Sequence, residues 1–503
     1  MNSSNVIVVG AGVSGLTVAA LLANEGVDVI LLESHCEVGG CAGTFKRGKY
    51  TFDVGATQVA GLENEGIHNR IFKHINAKLI DAQILDPACQ VQLGDGSDAV
   101  RLWHSPKRWQ LEREKHFPGT SLFWELCEKL HQINWSFNLR DPILPVRNVW
   151  DLYQLLKAIR PLTICSGILS TLTIFDLLKF TGLANNKRLK KFLDLQLKLY
   201  SQEPLERTSA LYGATVLQMA QAPLGLYHLQ GSMQSLSDNL KECFVRDGGN
   251  LYLSHTVKII ELDESTKSWT LKVVDKKGKM KQFTSTDVIC TVPPQSLKKL
   301  LSRESTKVNN YLKKLEKIPT ASGAVVFYGA IKRYNLPLNI PYHLQLNSKE
   351  FGSFFISISI DGDGRAPIGE ATIISSIFTS TENWKFNSSD FYDYQKQDYL
   401  TKILMIMQDS LGINKDMWIH KELATPRSFQ KWTGRLDGVV GGLGQFPLTS
   451  GLFGLSSRTP LPGFWLCGDS VHPGEGTAGV SQSALMVCRQ LLKDRGYSFN
   501  LKR

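Results

Sequence analysis

The chain has 503 residues, with 57 Lys and Arg against 46 Asp and Glu, a formal charge of +11. Its 43% hydrophobic residues suffice for roughly two to four domain cores, and it lacks the run of about eighteen apolar residues that a membrane-spanning helix needs. Nine cysteines scattered along the whole length argue against a disulfide framework and for a reducing compartment.

Val6-Ile7-Val8-Val9 is a β-branched apolar run of the kind buried on both faces of a parallel sheet. It begins almost at the first residue, which predicts no signal or transit peptide. Gly10-Ala11-Gly12-Val13-Ser14-Gly15 follows, then a helical pattern over 16–25 and a second strand over 27–32 ending in Glu33. In such a unit Gly10 permits a tight turn, Gly12 lets backbone approach a pyrophosphate and Gly15 lets helix and strand pack closely. The helix N-terminus offers free N–H groups to the phosphates, and Glu33 is placed to accept from ribose hydroxyls. The unit predicts binding of an adenine dinucleotide.

Val38-Gly39-Gly40-Cys41-Ala42-Gly43 reads as a loop able to lie flat on a ligand. Cys36 and Cys41 flank it without zinc-like spacing, so they are expected to be packed thiols and no metal site is predicted. Residues 87–220 read as helical and irregular, beginning with Trp103, Trp109, Trp124 and Trp135. Leu152, Leu155, Leu156 and Ile159 share a helical face. Beyond Pro161, Ile164, Ile168, Leu172, Phe175 and Leu178 continue at helical spacing. Two readings stay open: a core-facing helix pair, or a surface element whose apolar face enters lipid while Lys157, Arg160, Lys179 and the basic run 187–191 meet anionic headgroups. That basic run and the one at 276–279 lack interleaved aromatics, so nucleic acid is not an expected partner.

Residues 229–233 bring the chain back, followed by a helix through Val245 and strands over 251–253, 257–262, 268–274, 280–283 and 288–291. From about Pro319 the pattern turns to long strands over 324–328, 354–360 and 371–379, with Ile356, Ile358 and Ile360 on one face. A helix over 391–411 follows. Residues 464–467 form a last buried strand, leading into Gly468-Asp469 and then Pro473-Gly474-Glu475-Gly476-Thr477-Ala478-Gly479-Val480, a second strand, turn and helix opening.

These segments resemble the FAD-binding pattern of the glutathione-reductase-type flavoproteins, and within them the phytoene-desaturase-like carotenoid desaturases and isomerases over essentially the whole chain. The stretches FDVGATQVAGLE (52–63), FLDLQLKLYSQ (192–202) and GLYHLQGSMQ (225–234) carry the narrower similarity, most of all to carotenoid C-3′,4′ desaturases of the cyanobacterial type. The resemblance implies an α/β (α+β overall) architecture: a glutathione-reductase-type, Rossmann-like FAD domain with an inserted substrate domain containing a mixed or antiparallel sheet and a helical part. The FAD domain is expected over 1–86, 221–318 and 452–503, a helical and membrane-associating region over 87–220, and the substrate sheet over 319–451. It implies FAD contacts at Gly10, Gly12, Gly15, Glu33, Gly39, Gly40, Val257, Gly468, Asp469, Gly479 and Val480, with Asp469 at the ribityl–pyrophosphate region and the backbone of Val257 at the adenine.

The implied reaction is FAD-dependent C-3′,4′ desaturation of a hydroxylated acyclic or monocyclic carotenoid. Cis–trans isomerisation of the prolycopene type with reduced FAD is the alternative, and amine oxidation a further one. A quinone or oxygen would take the electrons, on the cytoplasmic side of a thylakoid or plasma membrane. No catalytic base is identified; by position, His228, His472 and Glu475 are the candidates.

Overall fold

Alternating side chains of the first strand serve two different cores. In the computed structural model, which describes residues 2–386, 388–447 and 449–501, Val6 and Val8 face one hydrophobic cluster while Ile7 and Val9 face another. Strand Asn2–Val9 is central to a seven-stranded sheet. Val29–Leu32 and Met280–Cys290 flank it in parallel. Asn250–Tyr252 extends the parallel set beyond Val29–Leu32, and Phe464–Leu466 extends it beyond residues 288–290. The first half of Met280–Cys290 instead pairs antiparallel with Ser268–Val274, which pairs with Thr256–Asp263. Helices Val13–Asn24, Gln234–Arg246 and Thr477–Asp494 cover one face, and this meander with helix Thr306–Leu315 covers the other. With both faces buried, the strands need apolar residues at every position, as Val6 to Val9 supply.

A second seven-stranded sheet runs in the order Trp418–Ala424, Gly323–Lys332, Glu370–Thr379, Gly352–Ile358, His343–Ser348, Cys89–Gln92 and Val100–Leu102. Its pairs are antiparallel except that between His343–Ser348 and Cys89–Gln92. Val325, Phe327 and Ile331 pack with helix Ser389–Leu411, whereas Ala324, Val326 and Tyr328 turn toward Tyr50 and Phe52 of strand Tyr50–Asp53. Two strands of this sheet lie within the stretch read as helical. Each is only three or four residues long, and its register depends on partners far along the chain, so local periodicity does not expose it. Ile356 and Ile358 join the core under the helix as expected. Ile360 lies past the strand's end and packs instead against the helical cluster around Trp124 and Phe192.

The apolar stretch over 151–178 is divided rather than continuous. Leu155 and Ile159 pack inward, and Ile174 and Leu178 are fully buried. Leu152 and Leu156 on helix Val149–Ala158, and Leu162 and Ile164 on Pro161–Ile168, are exposed, the last two at 65% and 61%. The break at Pro161 and the cap at Thr173, whose side chain accepts from Asp176 N, redirect the chain between these helices. The side chain of Ile168 lies outside the described residues. Among the described residues no helix is long and apolar enough to cross a membrane.

Candidate active site

The glycine turn after the first strand is shaped by contacts that tolerate no side chain. Gly10 has φ +101°, and a Cβ on Gly15 would stand 1.9 Å from the Gly10 carbonyl oxygen. Gly12 differs: a Cβ there would meet no protein atom within 4 Å, and the residue lines a cavity of about 620 Å³. Helix Val13–Asn24 starts at Gly12 without a side-chain cap, so its first N–H groups stay available at the cavity wall. Glu33 is held beside them, Oε2 accepting from Ala11 N at 2.7 Å and Oε1 from His35 N at 2.8 Å. Gly39 N donates to Ala11 O at 2.9 Å, which lays the second glycine loop against the first.

The C-terminal segment closes the cavity from the other side. Gly468 N donates to Ser483 Oγ at 3.0 Å, and Asp469 Oδ2 accepts from Arg435 Nη2 at 2.8 Å. Helix Thr477–Asp494 opens at Gly476, again without a side-chain cap, and Gly476, Thr477 and Val480 line the same cavity. Two uncapped helix N-termini therefore open on one space.

Of the residues expected at the cofactor, Gly10, Gly12, Glu33, Gly39, Gly40, Asp469 and Val480 line the cavity. Gly15, Gly468 and Gly479 stand behind the wall, where a Cβ on Gly479 would come within 2.5 Å of Gly474 O. Val257 is not on the wall: its side chain joins the cluster around Trp269. The turn before it is nonetheless tied to the glutamate's strand, His255 N donating to Glu33 O at 2.8 Å.

The three candidate bases are not brought together. His228 belongs to a buried ionic cluster, its Nε2 2.8 Å from Asp363 Oδ2 and 3.0 Å from Arg365 Nη1. Arg365 Nε donates to Asp53 Oδ2 at 2.9 Å, and Asp53 Oδ1 accepts from Met233 N. Burial pushes the Asp53 carboxyl up against the pull of Arg365. It works the same way on Asp363, where His228 and Arg365 outweigh it and hold the group below its ordinary range. His472 is enclosed, burial lowering its pKa to about 4, and does not line the cavity. Glu475 does line it; Oε2 accepts from Gln202 Nε2 at 2.5 Å and from Gly442 N at 3.2 Å, and burial raises its pKa to about 8.

Away from the glycine loops Leu199, Ala324, Val326, Phe355, Phe378 and Leu423 supply apolar wall, with Arg47, Lys396 and Glu422 also lining the cavity. Thr57, Gln58 and Tyr200, within two of the motif stretches, also line this part. Sequence reasoning missed Arg435 and the bidentate pair Arg47–Glu422, whose Nε–Oε2 and Nη2–Oε1 distances are 2.7 and 2.8 Å. Arg435 follows the glycine that ends helix Pro426–Thr433, and no local pattern marks it as the partner of an aspartate 34 positions on.

The donor set suits FAD. One helix N-terminus with Glu33 is placed for pyrophosphate and ribose, a second helix N-terminus for the electron-rich end of a flavin ring, and a single cavity joins them. Residues 13–492 match the model of the family described as flavin containing amine oxidoreductase. The chain belongs to that family. It is an FAD-dependent oxidoreductase, and it shares its fold with cyclohexylamine oxidase from Brevibacterium oxydans IH-35A, which superposes with a TM-score of 0.62 at 14% identity, over 97% of this chain and 99% of that one. Among curated proteins it is 24% identical to the chloroplastic prolycopene isomerase of Arabidopsis thaliana, over 97% of this chain and 83% of the relative. It is 23% identical to a 4,4′-diapophytoene desaturase of Staphylococcus haemolyticus, over 97% and 99%.

Proposed function

We propose that the chain acts on a carotenoid polyene with FAD, and more finely that it desaturates the C-3′,4′ bond of a hydroxylated acyclic or monocyclic carotenoid. The observation that carries the reading is the continuity of one cavity from the glycine loops into walls of Leu199, Val326, Phe355 and Phe378. A polyene presents no charge to pair and is retained by apolar contact. The full-length relatives named for polyene chemistry support the same substrate class. Bound FAD supplies a two-electron acceptor for a hydride; a quinone or oxygen is the proposed terminal acceptor. The protein's part is to hold the chain flat along these walls, exclude water and manage one proton.

The prolycopene isomerase relatives favour a second reading, cis–trans isomerisation without net redox change. Expression in a carotenoid-producing bacterium that supplies lycopene, γ-carotene and their 1′-hydroxy derivatives tests both. A product lighter by two hydrogens from the hydroxylated pigment is the expected result. Unchanged mass with altered retention selects isomerisation, and no altered pigment sinks the polyene reading and sends the protein to an amine panel.

We further propose that the enzyme meets its water-insoluble substrate at the cytoplasmic face of a membrane, thylakoid or plasma membrane in a cyanobacterial setting, through the exposed helices Val149–Ala158 and Pro161–Ile168. Val149, Leu152, Leu156, Leu162 and Ile164 point outward there beside exposed Lys157 and Arg160, the pairing of apolar and cationic groups that interfacial helices use.

A further inference from the structure

The part of the cavity walled by Leu199, Val326 and Phe355 also carries polar groups with hydrogen bonds to spare. Thr57 Oγ1, Tyr200 OH and Ser376 Oγ bond to no described residue. Gln58 Nε2 donates to Ala88 O at 2.9 Å, which leaves Gln58 Oε1 without a partner among the described residues. None of these four oxygens is among the unpartnered atoms shut off from a probe, so each keeps accessible surface.

They gather in one place. Gln58 follows Thr57 and is tied to Ala88, and the adjoining Cys89 is close enough to the Tyr200 phenol to act on it electrostatically. Ser376 stands opposite Phe355 in the second sheet, and Phe355 packs in the same cluster as Ala88 and Cys89. Gly55, two residues before Thr57, lies against the second glycine loop, where a Cβ on it would stand 3.4 Å from Cys41 O. The polar group therefore adjoins the glycine-loop end of the cavity.

We propose that Tyr200 and Gln58, with Thr57 and Ser376 beside them, form an end-group subsite that receives a hydroxyl carried by the polyene. The inference rests on the reading that the substrate is a polyene. Burial pushes the Tyr200 phenol up, so it stays an O–H donor. Gln58 Oε1 is an acceptor whose direction is set by the bond its own amide nitrogen makes. A hydroxyl both donates and accepts, and so satisfies the pair. A hydrocarbon end satisfies neither and leaves polar atoms unpaired once water is displaced, the cost by which hydroxyl-binding sites reject analogues that lack the group. Because the subsite adjoins the glycine loops, it holds the hydroxylated end of the polyene, not its middle, toward the cofactor. The C-3′,4′ bond lies a few carbons from a 1′-hydroxyl and is thereby selected over bonds further along. Arg47 and Glu422 on the same cavity wall are paired with each other. Lys396 lines the cavity with no ion-pair partner among the described residues, so a carboxylate-ended polyene is the competing ligand.

The test measures affinity of the FAD-loaded protein in detergent for lycopene, its 1′-hydroxy derivative and a carboxylate-ended polyene, read by quenching of tryptophan fluorescence. Wild type should bind the hydroxylated pigment about tenfold or more tightly than lycopene. Tyr200→Phe, which removes only the hydroxyl, and Gln58→Met should each keep flavin absorbance and lower that preference about fivefold, within the range of one neutral hydrogen bond. Wild type that binds both pigments equally overturns the subsite alone, as does wild type that binds the carboxylate-ended polyene most tightly. So do flavin-loaded variants whose preference is unchanged, because a merely structural role weakens both pigments together. Wild type that binds no polyene overturns the functional reading and this one with it.

Discussion

Gly12 and Gly15 lie three positions apart, and enlarging them should damage different things. A methyl on Gly15 would stand 1.9 Å from the Gly10 carbonyl oxygen, so Gly15→Ala must displace the turn itself. It should lower the thermal midpoint of the FAD-free protein. A Cβ on Gly12 meets no protein atom within 4 Å and projects into the cavity where a pyrophosphate would approach the helix N-terminus. Gly12→Val should therefore keep the FAD-free midpoint near wild type and abolish flavin retention, as read by absorbance after gel filtration; a flavin-loaded Gly12→Val protein would contradict this role. Glu475 adds a signature in stability. Its folded pKa of about 8 exceeds the ordinary 4.5, so folding binds a proton that the unfolded chain releases. The contribution is fully present below about pH 4.5 and fades as pH rises toward 8. Glu475→Gln, which cannot ionise, should gain on wild type across that window in thermal melts. At this scale the residues that line the glycine-loop end of the cavity were legible because their signals are local: a turn, a helix start, a strand end. Glu475 was visible as a candidate, but the choice among it, His228 and His472 required knowing that only one of them reaches the cavity.

Two short helices, Val149–Ala158 and Pro161–Ile168, show how far periodicity carries. Spacing alone gives two apolar faces, Leu152 to Ile159 before Pro161 and Ile164 to Leu178 beyond it, and leaves open whether core or lipid covers them. Burial of Ile174 and Leu178, and of Leu155 and Ile159 to a lesser degree, leaves Leu152, Leu156, Leu162 and Ile164 on the first two helices as the strongly exposed members of these faces. A helix pattern names a face without naming what covers it. If lipid covers this one, Leu156→Asp with Ile164→Asp should abolish flotation with anionic vesicles while leaving flavin content unchanged. High salt should weaken wild-type binding by screening Lys157 and Arg160. Wild type that fails to float, or a double variant that floats as well as wild type, removes the membrane proposal. The short strands Cys89–Gln92 and Val100–Leu102 escaped sequence reading for the opposite reason: they are strands by virtue of their partners, not their composition.

Across the whole molecule, the nucleotide part and the second sheet are joined by the buried group Asp53, Arg365, Asp363 and His228. It links hairpin strand Tyr50–Asp53, the returning strand Tyr227–Leu229 and the loop after Gly352–Ile358. Thr51 N donating to Arg365 O and Gly231 N to Asp363 O fasten the same three segments through backbone. Arg365→Met leaves two buried carboxylates facing a single histidine and should cost about 3–5 kcal/mol in denaturant unfolding. Adding Asp53→Asn should recover part of that loss, since it removes one uncompensated charge. None of this clamp was legible beforehand. Asp53 stood in a motif, His228 looked like a base, and Arg365 carried no signal, because charge pairing between distant segments leaves no periodic trace.

The parallel sheet has a consequence for how the protein is made. Its strands come from residues 2–9, 29–32, 250–252, 288–290 and 464–466, and Asp469, Glu475 and the second helix N-terminus follow the last of them. A chain emerging from the ribosome thus exposes the open edge at residues 288–290 for the time needed to synthesise some 170 further residues, at about 5–20 residues per second. Its flavin pocket gains a second wall only once Asp469, Glu475 and the start of helix Thr477–Asp494 have been made. Cofactor capture has to wait for that segment, and a chaperone or a nearby hydrophobic surface can act on the open edge before the flavin arrives.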